Sequence, residues 1–142
     1  MLKIQTHAPF ELMAVDLVSL PVTSQGYIGV LVLVDHYSKW LAVAPIKNKR
    51  SSTVINLLER QIFPSLLKLP LRILSDNGPE FNSLEFGDFM EKYNIHHVRM
   101  TAYKPSSNGA VERVNRTLIS FLRDLSSHPG DWVSYLPQAI LV

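Results

Sequence analysis

The sequence predicts an α/β fold: a mixed five-stranded sheet flanked by helices. Three observations carry that expectation. Three short apolar runs lie close together between Leu12 and Pro45, separated by turn-forming residues. From Ser51 onward, helical and strand patterns alternate. The chain has 142 residues, 46% of them apolar, enough for one domain over 1–142 with a sizeable core.

The elements follow in order. Leu12 to Val18 is expected as a first strand between Pro9 and Pro21, and Tyr27 to Val34 as a second, so apolar that it belongs inside the sheet. Pro21 to Gly26 joins them as a hairpin connection. Trp40 to Pro45 is a third strand, after the turn Asp35-His36-Tyr37-Ser38-Lys39. Ser51, Ser52 and Thr53 are cap candidates for a helix to Leu66 or Leu67. Its apolar side is Val54, Leu57, Leu58, Ile62 and Leu66, and Pro64 is expected to kink or end it early. Leu71 to Ser75 is a fourth strand. Ser83 to Tyr93 is a helix with Leu84, Phe86, Phe89 and Met90 as core candidates, and Ile95 to Val98 a fifth strand. Thr101 to Ser107 reads as a loop, Asn108 to Leu125 as a long helix, and Pro129-Gly130-Asp131 as the start of another. Gln138 to Val142 stops in a periodic apolar stretch without a C-cap signal, as expected of a piece of a longer protein.

Composition narrows the function classes. Cysteine is absent, which excludes disulfides and thiolate metal sites. The longest apolar run, Ile28 to Val34, is too short to span a bilayer, and no cleavable leader pattern opens the chain. No membrane partner is expected. Fourteen Lys and Arg against twelve Asp and Glu give a formal charge of +2, a weak electrostatic footprint on its own.

Three carboxylates stand out. Asp16 ends the apolar run Met13-Ala14-Val15, where an unpaired carboxylate is costly to bury. Asp35 offers the same geometry after the second run, and the residues alone do not separate the two. Asp76 follows an apolar strand and opens Asp76-Asn77-Gly78-Pro79, which by itself also reads as an ordinary turn; Gly78 there permits an unusual backbone conformation. Glu112 lies on a polar helix face with Asn108, Asn115 and Arg116, beside a stripe of Val111, Val114, Leu118, Phe121, Leu122 and Leu125. A surface Glu112–Arg116 pair is the plainer alternative. Clustered carboxylates suit phosphoryl transfer because they hold two divalent ions about 3.5–4 Å apart, at the attacking and the leaving oxygen. Hard oxygen ligands favour magnesium or manganese, and no HExxH helix suggests a zinc peptidase.

The segments Phe10 to Asp16, Leu33 to Trp40, Ser75 to Phe81 and Asn108 to Leu118 together resemble the catalytic core of retroviral and long-terminal-repeat retrotransposon integrases (Ty3/gypsy-like or spumavirus-like). These are DDE polynucleotidyl transferases of ribonuclease-H-like fold. The resemblance runs over almost the whole chain. It implies that Asp16, Asp76 and Glu112 are the catalytic residues and carry Mg²⁺ or Mn²⁺, two per active site when DNA is bound; it favours Asp16 over Asp35. The implied reactions are trimming of element DNA ends and joining of their 3′ hydroxyls to target DNA.

It further implies DNA contacts at Tyr103, Lys104, Ser107, Asn108, Arg113, Asn115 and Arg116. For Arg113 and Arg116 a solvated helix face is the alternative, and Lys47, Lys49 and Arg50 are weaker phosphate candidates. Where many relatives have His-Pro-Gln this chain has Lys104-Pro105-Ser106, and Ala110 stands where Gln is frequent; neither position supplies a metal ligand. The family's zinc-binding amino-terminal and small β carboxy-terminal domains are not in the sequence, and the resemblance implies that full end processing and joining need them. A homodimer of cores, a higher oligomer of the full-length protein and a host tethering protein are implied partners, the host nucleus and the virion the implied locations. Trp132, Tyr135 and Leu136 suit either the dimer surface or packing within the chain. Two other functions share the same residues: a ribonuclease-H-like nuclease, and a domesticated module that binds without catalysis.

Overall fold

The computed structural model describes residues 6–99, 113, 116–121, 124 and 132–136. The strands are β1 (Leu12–Ser19), β2 (Gly29–Asp35), β3 (Leu41–Ile46), β4 (Arg72–Ser75) and β5 (His96–Arg99), and the first two helices are α1 (Ser51–Leu57) and α2 (Leu84–Lys92). They form one mixed sheet in the order β3-β2-β1-β4-β5. β1, β2 and β3 pair antiparallel, whereas β4 runs parallel to both β1 and β5. β1 is therefore the middle strand. β2 is interior, and all seven of its residues are buried.

The β1–β2 hairpin closes where Thr23 accepts the Tyr27 amide on its hydroxyl and the Gly26 amide on its carbonyl. Gly26 takes φ +90° there. At the base of the hairpin Gly29 faces Ser19, and a Cβ at this position would come within 2.1 Å of the Val18 carbonyl oxygen. Backbone cannot give way as a side chain does, so glycine is a steric requirement here.

The pleat sorts the strand residues onto two faces. Met13, Val15, Leu31, Leu33 and Ile73 face one core, covered by α1, the turns after it and α2. Leu12, Ala14, Val18, Val32 and Leu74 face the other, closed by Leu118, Trp132 and Leu136. Residues 113, 116–121 and 124 are helical, in line with the expected long helix.

Three details differ from the sequence expectation. α1 is capped by Arg50 without a side-chain bond; Asn48 instead binds the Arg50 amide and the Thr53 hydroxyl, and Ser51 donates to the Glu80 carbonyl. After Leu57 the helix widens into a π turn over Leu58–Ile62 and tightens into a 3₁₀ turn over Phe63–Ser65. Pro64, with no amide to donate, sits at the start of that last turn. Leu84 is 82% exposed, since the buried stripe of α2 is Phe86, Phe89 and Met90 and Leu84 lies about 200° around the helix from Phe86.

α2 starts on a Ser83 cap bonded to the Phe86 amide. It ends with Asn94 at φ 55°, the Asn94 amide on Glu91 and the Ile95 amide on Met90. That is the double bond pattern of a left-handed helix stop.

Candidate active site

Asp16 sits in mid-β1, half-buried, paired with Val32 of β2. Its parity is that of Leu12, Ala14 and Val18, so it shares the face closed by Leu118 and Trp132. Its Oδ1 accepts the Leu17 amide at 2.9 Å. β4 is in parallel register with β1, with Ala14 opposite Leu74. Asp76 stands two residues beyond Leu74, as Asp16 stands two beyond Ala14. β1 runs on through Asp16 to Ser19, whereas β4 ends at Ser75 and Asp76 opens the loop that follows it.

Asp35 has the opposite parity, that of Leu31 and Leu33. It is fully buried, and its carboxylate accepts the Phe10 amide, the Ser38 amide and, at 2.6 Å, the Ser38 hydroxyl. Phe10 is held at φ 63°, a conformation that costs a non-glycine residue roughly 1–2 kcal/mol. Asp35 thus fastens the entry to β1 to the turn after β2. Asp35 is engaged by its own turn and lies on the sheet face opposite Asp16.

The loop after β4 is built around the Asp76 carboxylate. Asp76 Oδ1 accepts the Gly78 amide at 2.8 Å. Gly78 does not need the left-handed backbone expected of it. A Cβ there would lie 3.0 Å from Asp76 Oδ1 and 2.5 Å from Glu80 Oε1, so glycine serves close approach instead. Ser51 donates to the Glu80 carbonyl, Asn82 to the Asn77 carbonyl, and Phe81 is buried edge-on against Phe86 at 5.4 Å. These fasteners were not singled out from the sequence. Only the apolar Phe81 directly after a polar turn signalled an anchor.

Behind the loop, Ser75 is buried and its Oγ lies 2.6 Å from His97 Nε2. The ring of His97 packs edge-on against Phe86 at 5.1 Å. Burial pushes the His97 imidazole down to about 4, with the nearby Arg99 and His96 charges adding to the effect. His36, beside the Asp35 turn, is also lowered, first by burial and then by Lys39.

Glu112, Tyr103, Lys104, Ser107, Asn108 and Asn115 lie outside the described residues, as do Val111, Val114, Leu122 and Leu125 of the expected stripe. Among the described residues no three of His, Cys, Asp and Glu form a group able to hold a metal ion. Arg113 and Arg116 are helical and exposed, and Arg116 borders a shallow depression with Thr117, Ser120, Phe121 and Asp124. Of the weaker phosphate candidates, Lys47 lies over the Tyr27 ring and Lys49 bonds Ser19. Trp132 and Leu136 are buried in the chain's own core, with the Trp132 indole donating to the Pro21 carbonyl. They pack within the chain and do not offer a dimer surface. No helix among the described residues is long and apolar enough to cross a membrane.

The chain matches the integrase core domain family over residues 6–105. It is 41% identical over 140 residues, 98% of its length, to the Gag-Pol polyprotein of avian reticuloendotheliosis virus. The chain belongs to the integrase core domain family. In solved structures this integrase core resembles a chain of the simian T-cell lymphotropic virus intasome bound to PP2A regulatory subunit B56 gamma, with TM-score 0.77, 27% identity and 97% of this chain covered. It also resembles the HTLV-2 integrase catalytic core domain in complex with magnesium, in its dimeric form, with TM-score 0.68, 29% identity, and 93% of this chain and 84% of that one covered. The mixed five-stranded sheet flanked by helices is the ribonuclease-H-like fold of the DDE superfamily. The integrase core spans 12% of the avian polyprotein and 49% of the intasome chain.

Proposed function

We propose that this integrase core supplies the metal-dependent active site for processing of element DNA 3′ ends and their transfer into target DNA, with Asp16, Asp76 and Glu112 as the acting carboxylates and full activity reached in the full-length protein. The observation that carries the reading is the parallel register of β1 and β4, with Ala14 opposite Leu74, two residues before Asp16 and Asp76 respectively. Membership of the integrase core family supports it, as does the magnesium in the related HTLV-2 core. Glu112, six residues before Leu118 in the sequence, is assigned from the family resemblance.

The donor set fits a hard divalent cation: half-buried Asp16 and exposed Asp76 are carboxylates, each steadied by one backbone amide. Mg²⁺ or Mn²⁺ bound there supplies activation of the attacking oxygen and charge stabilisation at the phosphate. The protein's part is placement. The rigid middle strand fixes Asp16, the Gly78 amide orients Asp76, and Arg113 and Arg116 are candidates to grip DNA phosphate from the exposed helix side. Lys104, Tyr103, Ser107, Asn108 and Asn115 complete the proposed DNA contacts. Pairing of cores as homodimers, a host tether and action in the nucleus follow from the same reading.

The test is incubation of labelled element-end DNA with Mn²⁺. Joined products that vanish in Asp16→Asn and Glu112→Gln proteins are expected. Hydrolysis of RNA–DNA hybrids with no DNA joining, or full activity of either variant, would contradict the proposal.

A further inference from the structure

Asp76 is held at two points. Its carboxylate takes the Gly78 amide, and its main-chain carbonyl takes the Ser75 hydroxyl at 2.9 Å. Ser75 has a single hydroxyl proton. Once that proton is committed to the Asp76 carbonyl, the close approach of His97 Nε2 at 2.6 Å requires the imidazole to be the donor. The hydrogen bonds then run one way, from His97 Nε2–H to Ser75 Oγ and from Ser75 Oγ–H to the Asp76 carbonyl.

Ser75 is 1% exposed, so water does not replace His97 as its partner. His97 is itself fixed by its ladder position opposite Ile73 and by the Phe86 ring. We propose that His97 is a positioning residue for Asp76, acting through the Ser75 hydroxyl to lock the peptide plane from which the carboxylate projects. This inference rests on the functional reading above, in which Asp76 holds metal. Burial also keeps the imidazole neutral at ordinary pH, which preserves one donor nitrogen and one acceptor nitrogen.

The test measures Mn²⁺ affinity of the 142-residue chain by electron paramagnetic resonance, with thermal melts run in parallel. His97→Leu removes the donor and is expected to bind Mn²⁺ about ten-fold more weakly, at the low end for residues that orient metal ligands. His97→Gln keeps an N–H donor and is expected within about three-fold of the parent, a rescue that a purely structural role does not give. In a Ser75→Ala background His97→Leu is expected to add no further loss, because the relay is already cut. Nitrogen-15 shifts of His97 should report protonation at Nε2.

Equal affinity of His97→Leu and parent, equal losses for Leu and Gln, or additive losses in the double variant would each overturn the proposal. Protonation at Nδ1 alone does the same. A parent that binds no Mn²⁺ overturns the functional reading and this inference with it, whereas a parent that binds normally beside an unaffected His97→Leu overturns only the inference.

Discussion

At Asp35 the carboxylate is fully occupied by its own turn: two amides and one hydroxyl converge on it in a site closed to solvent. Removing it strands three donors and releases Phe10 from its left-handed conformation. Asp35→Ala should lower stability by roughly 2–4 kcal/mol in chemical denaturation. Asp16→Asn removes a half-buried charge from the proposed cation site, so it should melt within a few degrees of the parent. Its Mn²⁺ binding should nevertheless be lost. At Gly78 an added methyl would crowd the Asp76 carboxylate, while the flexible Glu80 side chain can swing away. Gly78→Ala should therefore reduce Mn²⁺ affinity by about ten-fold, read by the same titration, with little change in melting temperature. The sequence shows that Asp16 and Asp35 both end apolar runs. Telling them apart needs strand register, because a shift of one residue moves a side chain to the other face.

The strands were legible because each alternates or runs apolar between clear turn signals, and the hairpin loop from Pro21 to Gly26 is rich in turn formers. Helix details were less so. Leu84 looks like core by composition, yet its angular position sets it opposite the Phe86 stripe. The widening of α1 into a π turn depends on how Leu58, Ile62 and Phe63 are drawn onto the sheet, which local sequence does not encode. At the hairpin base Gly29 meets backbone that cannot retreat, so Gly29→Ala should cost about 2 kcal/mol or more in a denaturant melt. Phe86, fully buried and touching Phe81, Phe89 and His97, links α2 to the loop that carries Asp76.

Across the whole molecule, two cores share one sheet, and the second is closed by residues from the far end of the chain. Trp132→Ala should cost about 3–5 kcal/mol without altering oligomeric state by light scattering, since the indole is spent inside the chain. Acid should weaken the fold in a defined window. His97 and His36 both have lowered values in the folded state, so the unfolded chain takes up protons first as pH falls below 6.5. The His97 contribution is complete above that pH and drains toward pH 4. For partly exposed His97 it amounts to about 1–2 kcal/mol after solvent screening. Unfolding curves across this window check it, and His97→Gln should flatten them. The motif suggested Asp16 and Asp76 together, the register sets Ala14 opposite Leu74 two residues before them, and Glu112 stands on sequence alone.

The most direct test of the account is anomalous diffraction from crystals of this integrase core soaked in Mn²⁺. The account predicts manganese within coordination distance of Asp16 and Asp76, with the Glu112 carboxylate completing the set. Manganese bound elsewhere while Asp16 and Asp76 share no ion, or Glu112 seated on the opposite side of the sheet, would contradict it.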